Sequence, residues 1–210
     1  MRILTRRLAA LAIVSTLTLA GCGSSDSDGD DSPSKDTTSS SPSADAPDED
    51  ADAPDVEAPD GDTITGTGYT FAVPQDWATP EQEIPGTEAT DAFAANLKDA
   101  DGFSDNVNVI RLDPAPIEDL DKLEDGLTAE LERAGSKDIK IGDRVDVDGD
   151  EAVSITSVQS QNGTNYLTDQ FNAIHDGVSY VITFSFSETV SEADRQELAA
   201  SVLSSWKWTA

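Results

Sequence analysis

Hydrophobic and polar residues alternate along much of the second half of the chain. The clearest alternation spans residues 178–187, where every second residue is large and apolar: Val178, Tyr180, Ile182, Phe184 and Phe186. Residues 139–147 alternate in the same way, starting from Ile139 and Ile141. A period of two residues is typical of a strand that buries one face. The pattern therefore predicts a series of strands in this half of the chain.

Dipeptides that favour tight turns separate these strands at intervals of 14 residues: Asp148-Gly149, Asn162-Gly163 and Asp176-Gly177. Each suits a type I′ turn, which needs two positive φ angles and joins antiparallel strands with the correct twist. We therefore predict a four-strand antiparallel meander over residues 137–147, 151–160, 164–175 and 178–187.

The segment before the meander carries weaker strand signals. Residues 69–73 alternate as a strand and end at Pro74, whereas residues 87–97 and 106–112 are further strand candidates. These segments bring the predicted sheet to about six to seven strands.

Two helices flank the predicted meander. The first is expected to open at Asp113-Pro114-Ala115-Pro116, because aspartate can cap a helix and proline is tolerated in its first turn. Its apolar stripe ends before a stop signal at Gly135 and consists of Ile117, Leu120, Leu123, Leu127 and Leu131. The second helix begins at Ser191, with Asp194 placed as in a capping box. Its stripe consists of Leu198, Ala199, Val202, Leu203 and Trp206. The predicted fold class is α+β, with helices packed on an antiparallel sheet.

Charge is distributed unevenly along the 210 residues, which hold 42 acidic and 13 basic side chains. Residues 63–210 alone hold 28 acidic and nine basic residues. Nucleic acids are bound by lysine and arginine that neutralise phosphates, so this composition argues against a nucleic-acid partner and disfavours anionic lipid headgroups.

Residues 23–62 are rich in Asp, Ser, Pro, Ala and Gly, and hold 14 acidic residues and one lysine. Such a segment cannot bury enough apolar surface to offset its ordering entropy, so we predict a disordered acidic tether. An alternative is that its carboxylates collect Ca²⁺, although a selective site needs six to eight converging oxygens. The folded domain is expected over residues 63–210.

The first 22 residues have the pattern of an export signal. Arg2, Arg6 and Arg7 precede an apolar run over residues 8–20, which as a helix is too short to span a bilayer. The run ends in the motif Leu19-Ala20-Gly21-Cys22, which resembles the bacterial lipobox. That resemblance implies a signal peptide over residues 1–21 and a diacylglyceryl group on Cys22, which would anchor the chain to the extracytoplasmic face of the cell membrane. Thr5-Arg6-Arg7 leaves twin-arginine export open beside the general secretory route.

A second resemblance covers nearly all of residues 63–210. The segment Gly68–Trp77 is similar to the opening of the PsbP-like α/β/α sandwich family, and Gly102-Phe103, Asp148–Ala152 and Ser205–Trp208 continue the likeness. With the lipobox and the acidic segment, the chain resembles the actinobacterial LpqN-type lipoproteins. The family implies a non-enzymatic accessory or binding domain of the cell envelope, and it brings no catalytic residues, cofactor or metal to positions here.

Candidate chemistry within the domain is sparse. His175 is the single histidine, it precedes a predicted turn, and no Gly-x-Ser-x-Gly elbow supplies a nucleophile. Asp146–Glu151 superficially resembles a Ca²⁺ loop, but its glycine and glutamate do not fall at the EF-hand positions, so a hairpin is the preferred interpretation. Trp77 and Trp206 are assigned to the core. Trp208 either closes a sheet edge or lines a ligand groove.

The leading prediction is therefore a lipid-anchored, non-enzymatic binding module that recruits an envelope protein or lipid. One alternative is a carrier that shelters an apolar ligand between sheet and helix, in a cavity flanked by Phe93, Phe103 and Phe171. Another is a hydrolase that uses two carboxylates.

Overall fold

The computed structural model describes residues 56–209 except 83, 85 and 162, so the predicted signal peptide and most of the predicted tether lie outside the described residues. The elements, in chain order, are β1 (Thr63–Gly66), β2 (Tyr69–Ala72), β3 (Trp77–Ala78), β4 (Ala92–Asn96), β5 (Asn106–Leu112), α1 (Leu120–Ala134), β6 (Lys137–Ile141), β7 (Val145–Val147), β8 (Asp150–Gln161), β9 (Thr164–His175), β10 (Val178–Phe186), α2 (Glu192–Ser204) and β11 (Lys207–Trp208).

An eight-stranded antiparallel sheet, here called the main sheet, forms the centre of the domain, with the order β3-β4-β5-β10-β9-β8-β6 and β7 paired to β8. This confirms the α+β class and the meander, although the sheet has more strands than the predicted six to seven. The turn residues adopt the positive φ angles that the dipeptides indicate: 50° and 95° at Asp148 and Gly149, and 47° and 75° at Asp176 and Gly177.

The predicted strand over residues 137–147 is divided in the structure. Its pairing with β8 shifts register between Lys137 and Lys140, where Asp138 has a φ of 50°. The strand then ends at Ile141, and Gly142 donates its N–H to the carbonyl of Ser154 at 2.9 Å. A Cβ on Gly142 would lie 3.0 Å from the Ser154 hydroxyl oxygen, so glycine permits this close approach. Pairing resumes at β7.

The predicted start of the first helix was wrong. The helix begins after Asp119, whose side chain accepts a hydrogen bond from the Lys122 N–H, and not after Asp113. Pro114 and Pro116 disfavour helical angles in the residues before them, so this segment stays outside the helix, and Ala115 donates its N–H to the Gly177 carbonyl at 2.7 Å. The predicted stop at Gly135 is confirmed. Gly135 has a φ of 88°, and its N–H donates to the Glu132 carbonyl in the last turn of the helix.

The other early predictions were confirmed in part. Of residues 87–97, only Ala92–Asn96 form a strand, because Thr87 and Thr90 are held in a turn by the hydrogen bond from the Thr90 N–H to the Thr87 carbonyl. The strand at 69–73 is β2, but it belongs to a separate three-stranded sheet with the order β1-β2-β11, here called the small sheet.

Two hydrophobic cores lie on opposite faces of the main sheet. The larger core packs one face against α2 and the small sheet, and Trp206, Tyr69 and Phe71 are its largest fully buried side chains. The smaller core lies between α1 and the other face, where Leu123 and Leu127 pack on Val153 and Ile155 of β8. Trp77 and Trp206 are thus buried, as predicted.

Candidate functional site

The face of the main sheet that carries α1 continues beyond that helix over β9, β10, β5 and β4, and we call this part the open face. Strand register aligns its side chains in rows across the strands. One row joins Phe93, Asn108, Thr183 and Gln170, and the next joins Ile110, Val181 and Asn172. All of these side chains except Asn172 are half-buried, although they stand on the central strands of the sheet.

No charged residue faces this side from the described strands β4, β5, β9 and β10. The side chains that form it are Phe93, Ala95, Asn106, Asn108, Ile110, Leu112, Tyr166, Thr168, Gln170, Asn172, Ile174, Ser179, Val181, Thr183 and Ser185. In a region with 28 acidic residues this neutrality separates the open face from the rest of the surface. Most of its polar groups are amides and hydroxyls, which both donate and accept hydrogen bonds.

Hydrogen bonds orient several of these amides. Gln170 donates from Nε2 to Oδ1 of Asn172 at 3.1 Å, and Asn108 donates weakly from Nδ2 to the Thr183 carbonyl at 3.5 Å. Asn172 is only 1% exposed, and its Nδ2 has no hydrogen-bond partner in the part of the chain that the structure describes. A buried donor without a partner is costly, so the floor of the open face has an unmet polar group.

Aromatic rings lie at one end of the open face. Phe103, in the loop before β5, stacks on Tyr166 of β9 with ring centroids 5.3 Å apart. The same loop is held to the sheet because Ser187 donates its N–H to Asp105 at 2.9 Å. Burial raises the pKa of Asp105. The hydrogen bond from the Ser187 N–H lowers this pKa, whereas the nearby carboxylates of Asp99 and Asp101 raise it.

At the opposite end of the sheet, His175 and Trp208 form a second pair of stacked rings. Their rings stack with centroids 4.3 Å apart and planes within 4°. Nδ1 of His175 lies 2.7 Å from Oδ2 of Asp150, and since a carboxylate only accepts, this nitrogen carries the proton. Neither ring nitrogen is hydrogen-bonded to a hydroxyl or thiol of the described residues, so the geometry of a catalytic dyad with a nucleophile is not present there.

Asp148 ties the end of the chain to this pair of rings. Its carboxylate accepts hydrogen bonds from Nζ of Lys207 at 2.6 Å and from the Trp208 N–H at 2.9 Å. The hydrogen bond from Lys207, followed by that from Trp208, lowers the pKa of Asp148. The Trp208 indole donates to the Val147 carbonyl at 3.2 Å, and β11 pairs with β2. Of the two predicted roles, Trp208 therefore has the one that closes a sheet edge.

The Ca²⁺ interpretation of Asp146–Glu151 is not supported. Asp146 accepts the Gly149 N–H within the β7–β8 turn, and Asp148 is bound to Lys207. Within residues 56–209 as described, no cluster of three or more histidine, cysteine, aspartate or glutamate side chains has an arrangement that could hold a metal ion.

A shallow cleft of about 500 Å³ lies where the chain enters the domain, between residues 60–62, 75–78 and 97–98. Two of its three carboxylates have partners: Asp76 pairs with Lys98, and Asp60 accepts from Gln75 at 2.8 Å. A glycosidase needs one carboxylic acid that stays protonated. Burial raises the pKa of Asp105 and Asp169, but neither lines this cleft.

One buried ion pair was not foreseen. Nε of Arg195 donates to Oδ2 of Asp169 at 3.1 Å, with both side chains at most 10% exposed. Burial raises the pKa of Asp169, and the guanidinium of Arg195 opposes that shift. The predicted apolar stripe of the second helix is confirmed except at Trp206, which lies beyond the end of α2 at Ser204, and no role was predicted for Arg195. The signal that could have found it is Asp169, an acid that alternates with the apolar residues Leu167, Phe171 and Ala173 on the packed face of β9.

The cavity predicted for a lipid carrier is not formed by the three phenylalanines. Phe171 is buried in the larger core, edge-on to Phe184 with centroids 6.0 Å apart. Phe93 and Phe103 lie on the opposite side of the main sheet, where Phe103 stacks on Tyr166. The error arose because Phe171 alternates onto the packed face of β9.

The predicted attachment site, Cys22, and the rest of its motif, Leu19, Ala20 and Gly21, lie outside the described residues. Among the residues that are described, neither helix has the length and apolar character needed to cross a membrane.

No family model and no curated protein matches this sequence. Solved structures do resemble the fold. LpqN of Mycobacterium tuberculosis, a protein involved in cell envelope biogenesis, is 19% identical, with a TM-score of 0.50 over 72% of this chain and 88% of LpqN. Cyanobacterial PsbP from Synechocystis sp. PCC 6803 is 15% identical, with a TM-score of 0.46 over 70% of this chain and 93% of that protein.

A protein from Bacteroides thetaiotaomicron is 12% identical, with a TM-score of 0.46, and the matched region covers 70% of this chain but only 48% of that protein. This chain thus spans about half the length of the Bacteroides protein. At 19% identity, the likeness to LpqN shows a shared fold. The fold relationship that the sequence resemblance implied is therefore established with LpqN, whereas membership of a lipoprotein family is not.

Proposed function

We propose that this chain is a lipoprotein of the cell envelope whose folded domain is a non-enzymatic binding module. In this proposal a diacylglyceryl group on Cys22 anchors the mature chain, residues 23–62 are the tether, and the open face is the binding surface. The open face is the observation that carries the proposal, because its strands present no charged side chain in a strongly acidic domain and α1 leaves them uncovered. The shared fold with LpqN, which acts in envelope biogenesis, supports the same compartment.

The position of the open face agrees with a tethered module. The described N-terminal segment runs along the other side of the main sheet, where Ser201 of α2 donates to the Glu57 carbonyl at 2.9 Å. Gly61 donates to the Val73 carbonyl beside β2 at 3.0 Å. The described end of the predicted tether, residues 56–62, therefore lies on the side of the main sheet opposite the open face.

Lipid attachment is tested by labelling cells with an alkyne-bearing fatty acid. We expect the full chain to be labelled and to fractionate with membranes, and the variant Cys22→Ser to lose the label. Ser24→Ala, two residues along the predicted tether, is the matched control and should keep it. Equal labelling of wild type and Cys22→Ser would refute the anchor.

The binding role is tested by photocrosslinking in intact cells from a photoreactive residue introduced at position 183 on the open face. The control is the same residue at position 65, which is exposed on β1. We expect a discrete crosslinked envelope component, protein or glycan, from position 183 and none from position 65. Identical patterns from the two positions would contradict a specific binding surface.

A further inference from the structure

The chemistry of the open face selects a class of ligand. We propose that it binds a neutral polysaccharide chain of the cell envelope, with the amides and hydroxyls of β5, β9 and β10 on sugar hydroxyls and Phe93 stacked on a sugar ring. This inference rests on the proposed function, since an envelope polysaccharide can reach the domain only if the domain lies on the extracytoplasmic side of the membrane.

Charge is the first argument. Charged partners are recognised by complementary charge. The described strands of the open face present no charged side chain, although the whole chain has a net charge of −29. A polyanion would be repelled by the surrounding acidic surface. A cationic partner would be drawn to the carboxylates that lie elsewhere on the domain. An uncharged ligand is the one that such a face fits.

The second argument is the mixture of groups. Asn108, Thr183 and Gln170 are neighbours in one row, and each offers an amide or hydroxyl that can donate and accept. A sugar hydroxyl needs both kinds of partner. An apolar surface could not supply them, because polar groups of the ligand would be left without hydrogen bonds on binding.

The third argument is the aromatic edge of the same row. Phe93 is paired with Asn108 and is half-buried, so one side of the row ends in an accessible ring. Aromatic rings attract weakly positive C–H groups to their faces, and one side of a sugar ring presents such groups. Adjacent strands lie about 4.8 Å apart, so the row from Phe93 to Gln170 spans roughly 14 Å. This length suits consecutive sugar units of an extended chain better than a single small molecule.

The test is affinity electrophoresis of the full chain, solubilised in a detergent without a sugar headgroup. The gels contain dextran, mannan or galactan as neutral polysaccharides, or polygalacturonate as the anionic one. We expect at least one neutral polysaccharide to retard the wild-type chain and polygalacturonate not to retard it. Mixed vesicles that carry a neutral glycolipid are the competitor that distinguishes a lipid headgroup from a polysaccharide.

The matched variants are Asn108→Ala with Thr183→Val on the open face, and Thr65→Val on the exposed edge of β1. The double variant should weaken binding about tenfold through the loss of hydrogen bonds, whereas Thr65→Val should bind as wild type. Should the double variant unfold, Thr183→Val alone provides the same comparison, because valine has nearly the shape of threonine.

The proposal is overturned if no neutral polysaccharide retards the chain, if only polygalacturonate does, if the glycolipid vesicles alone compete, or if the open-face variants bind as wild type. A discrete protein crosslinked from position 183 would also overturn it while leaving the binding role intact. Absence of the fatty-acid label from the wild-type chain, in contrast, would count against the anchor alone, because the electrophoresis needs no lipid on Cys22.

Discussion

The two faces of the main sheet come from the same strands but differ in chemistry. On the packed face, the Trp206 ring stacks on Tyr69 and Phe71 with centroids 4.5 and 5.2 Å away, and all three are at most 1% exposed. On the open face, amides and hydroxyls alternate with a few apolar side chains that remain partly exposed. The larger core therefore lies on one face, and the part of the other face that α1 does not cover is available for binding.

The largest loss of stability is expected from Trp206→Ala on the packed face. The side chain is fully buried and stacked between α2 and the small sheet, so its removal should cost about 3–5 kcal/mol of unfolding free energy. Urea denaturation followed by circular dichroism measures the loss. Phe93→Ala is the matched control on the open face and should cost much less, because Phe93 is only half-buried. Equal losses would mean that the two faces do not differ in the way described.

A second large effect is expected from the ion pair on the packed face. Arg195→Met leaves the carboxylate of Asp169 buried without its partner, which should cost about 3 kcal/mol near neutral pH. The burial that already raises the pKa of Asp169 then acts unopposed, so the folded state takes up a proton more readily than the unfolded state. The loss should accordingly shrink as the pH falls.

The control for the ion pair is the double variant Arg195→Met with Asp169→Leu. It removes both charges and should recover most of the stability, because an apolar pair of similar volume needs no desolvation of ions. A double variant as unstable as Arg195→Met would show that the packing of the arginine stem, and not the unpaired charge, decides the effect.

A smaller effect is expected where Asp148 holds β11 to the main sheet. Because its pKa is lowered in the folded state, this carboxylate contributes stability above its usual value of 3.8, and the contribution is lost as the pH falls through the folded-state value. Asp148→Asn should therefore lower the melting temperature at pH 7, and the difference from wild type should narrow in acid. Asp125→Asn, on the exposed side of α1, is the control and should leave the melting temperature at pH 7 unchanged.

Sequence patterns predicted the parts of this fold that depend on local chemistry. The Asp-Gly turns and the alternation in residues 178–187 defined the meander, and Ser191 and Gly135 marked helix ends. Features that depend on tertiary contacts were missed. Lys207–Trp208 is too short to show a period and forms a strand only because β2 and Asp148 hold it. The open face was also not predictable, since alternation separates two faces of a strand but does not show how far α1 will cover one of them.

The smallest change in stability is expected at Thr183 on the open face. Thr183→Val removes one hydroxyl from the open face without changing the size of the side chain, and Thr183 lies on the central strand β10 between Asn108 and Gln170. Since valine favours strands and the hydroxyl has no partner among the described residues, the unfolding free energy should change by less than about 0.5 kcal/mol.

Ser157→Ala is the informative contrast, because the buried Ser157 hydroxyl is hydrogen-bonded to Thr168 at 2.8 Å on the same sheet. Its loss removes one hydrogen bond from the Thr168 hydroxyl, which still donates to the Ser157 carbonyl at 3.2 Å, and one from Nε2 of Gln159, so it should cost about 1 kcal/mol. If Thr183→Val proved as costly as Ser157→Ala, the hydroxyls of the open face would serve the fold itself and would not be free for a ligand.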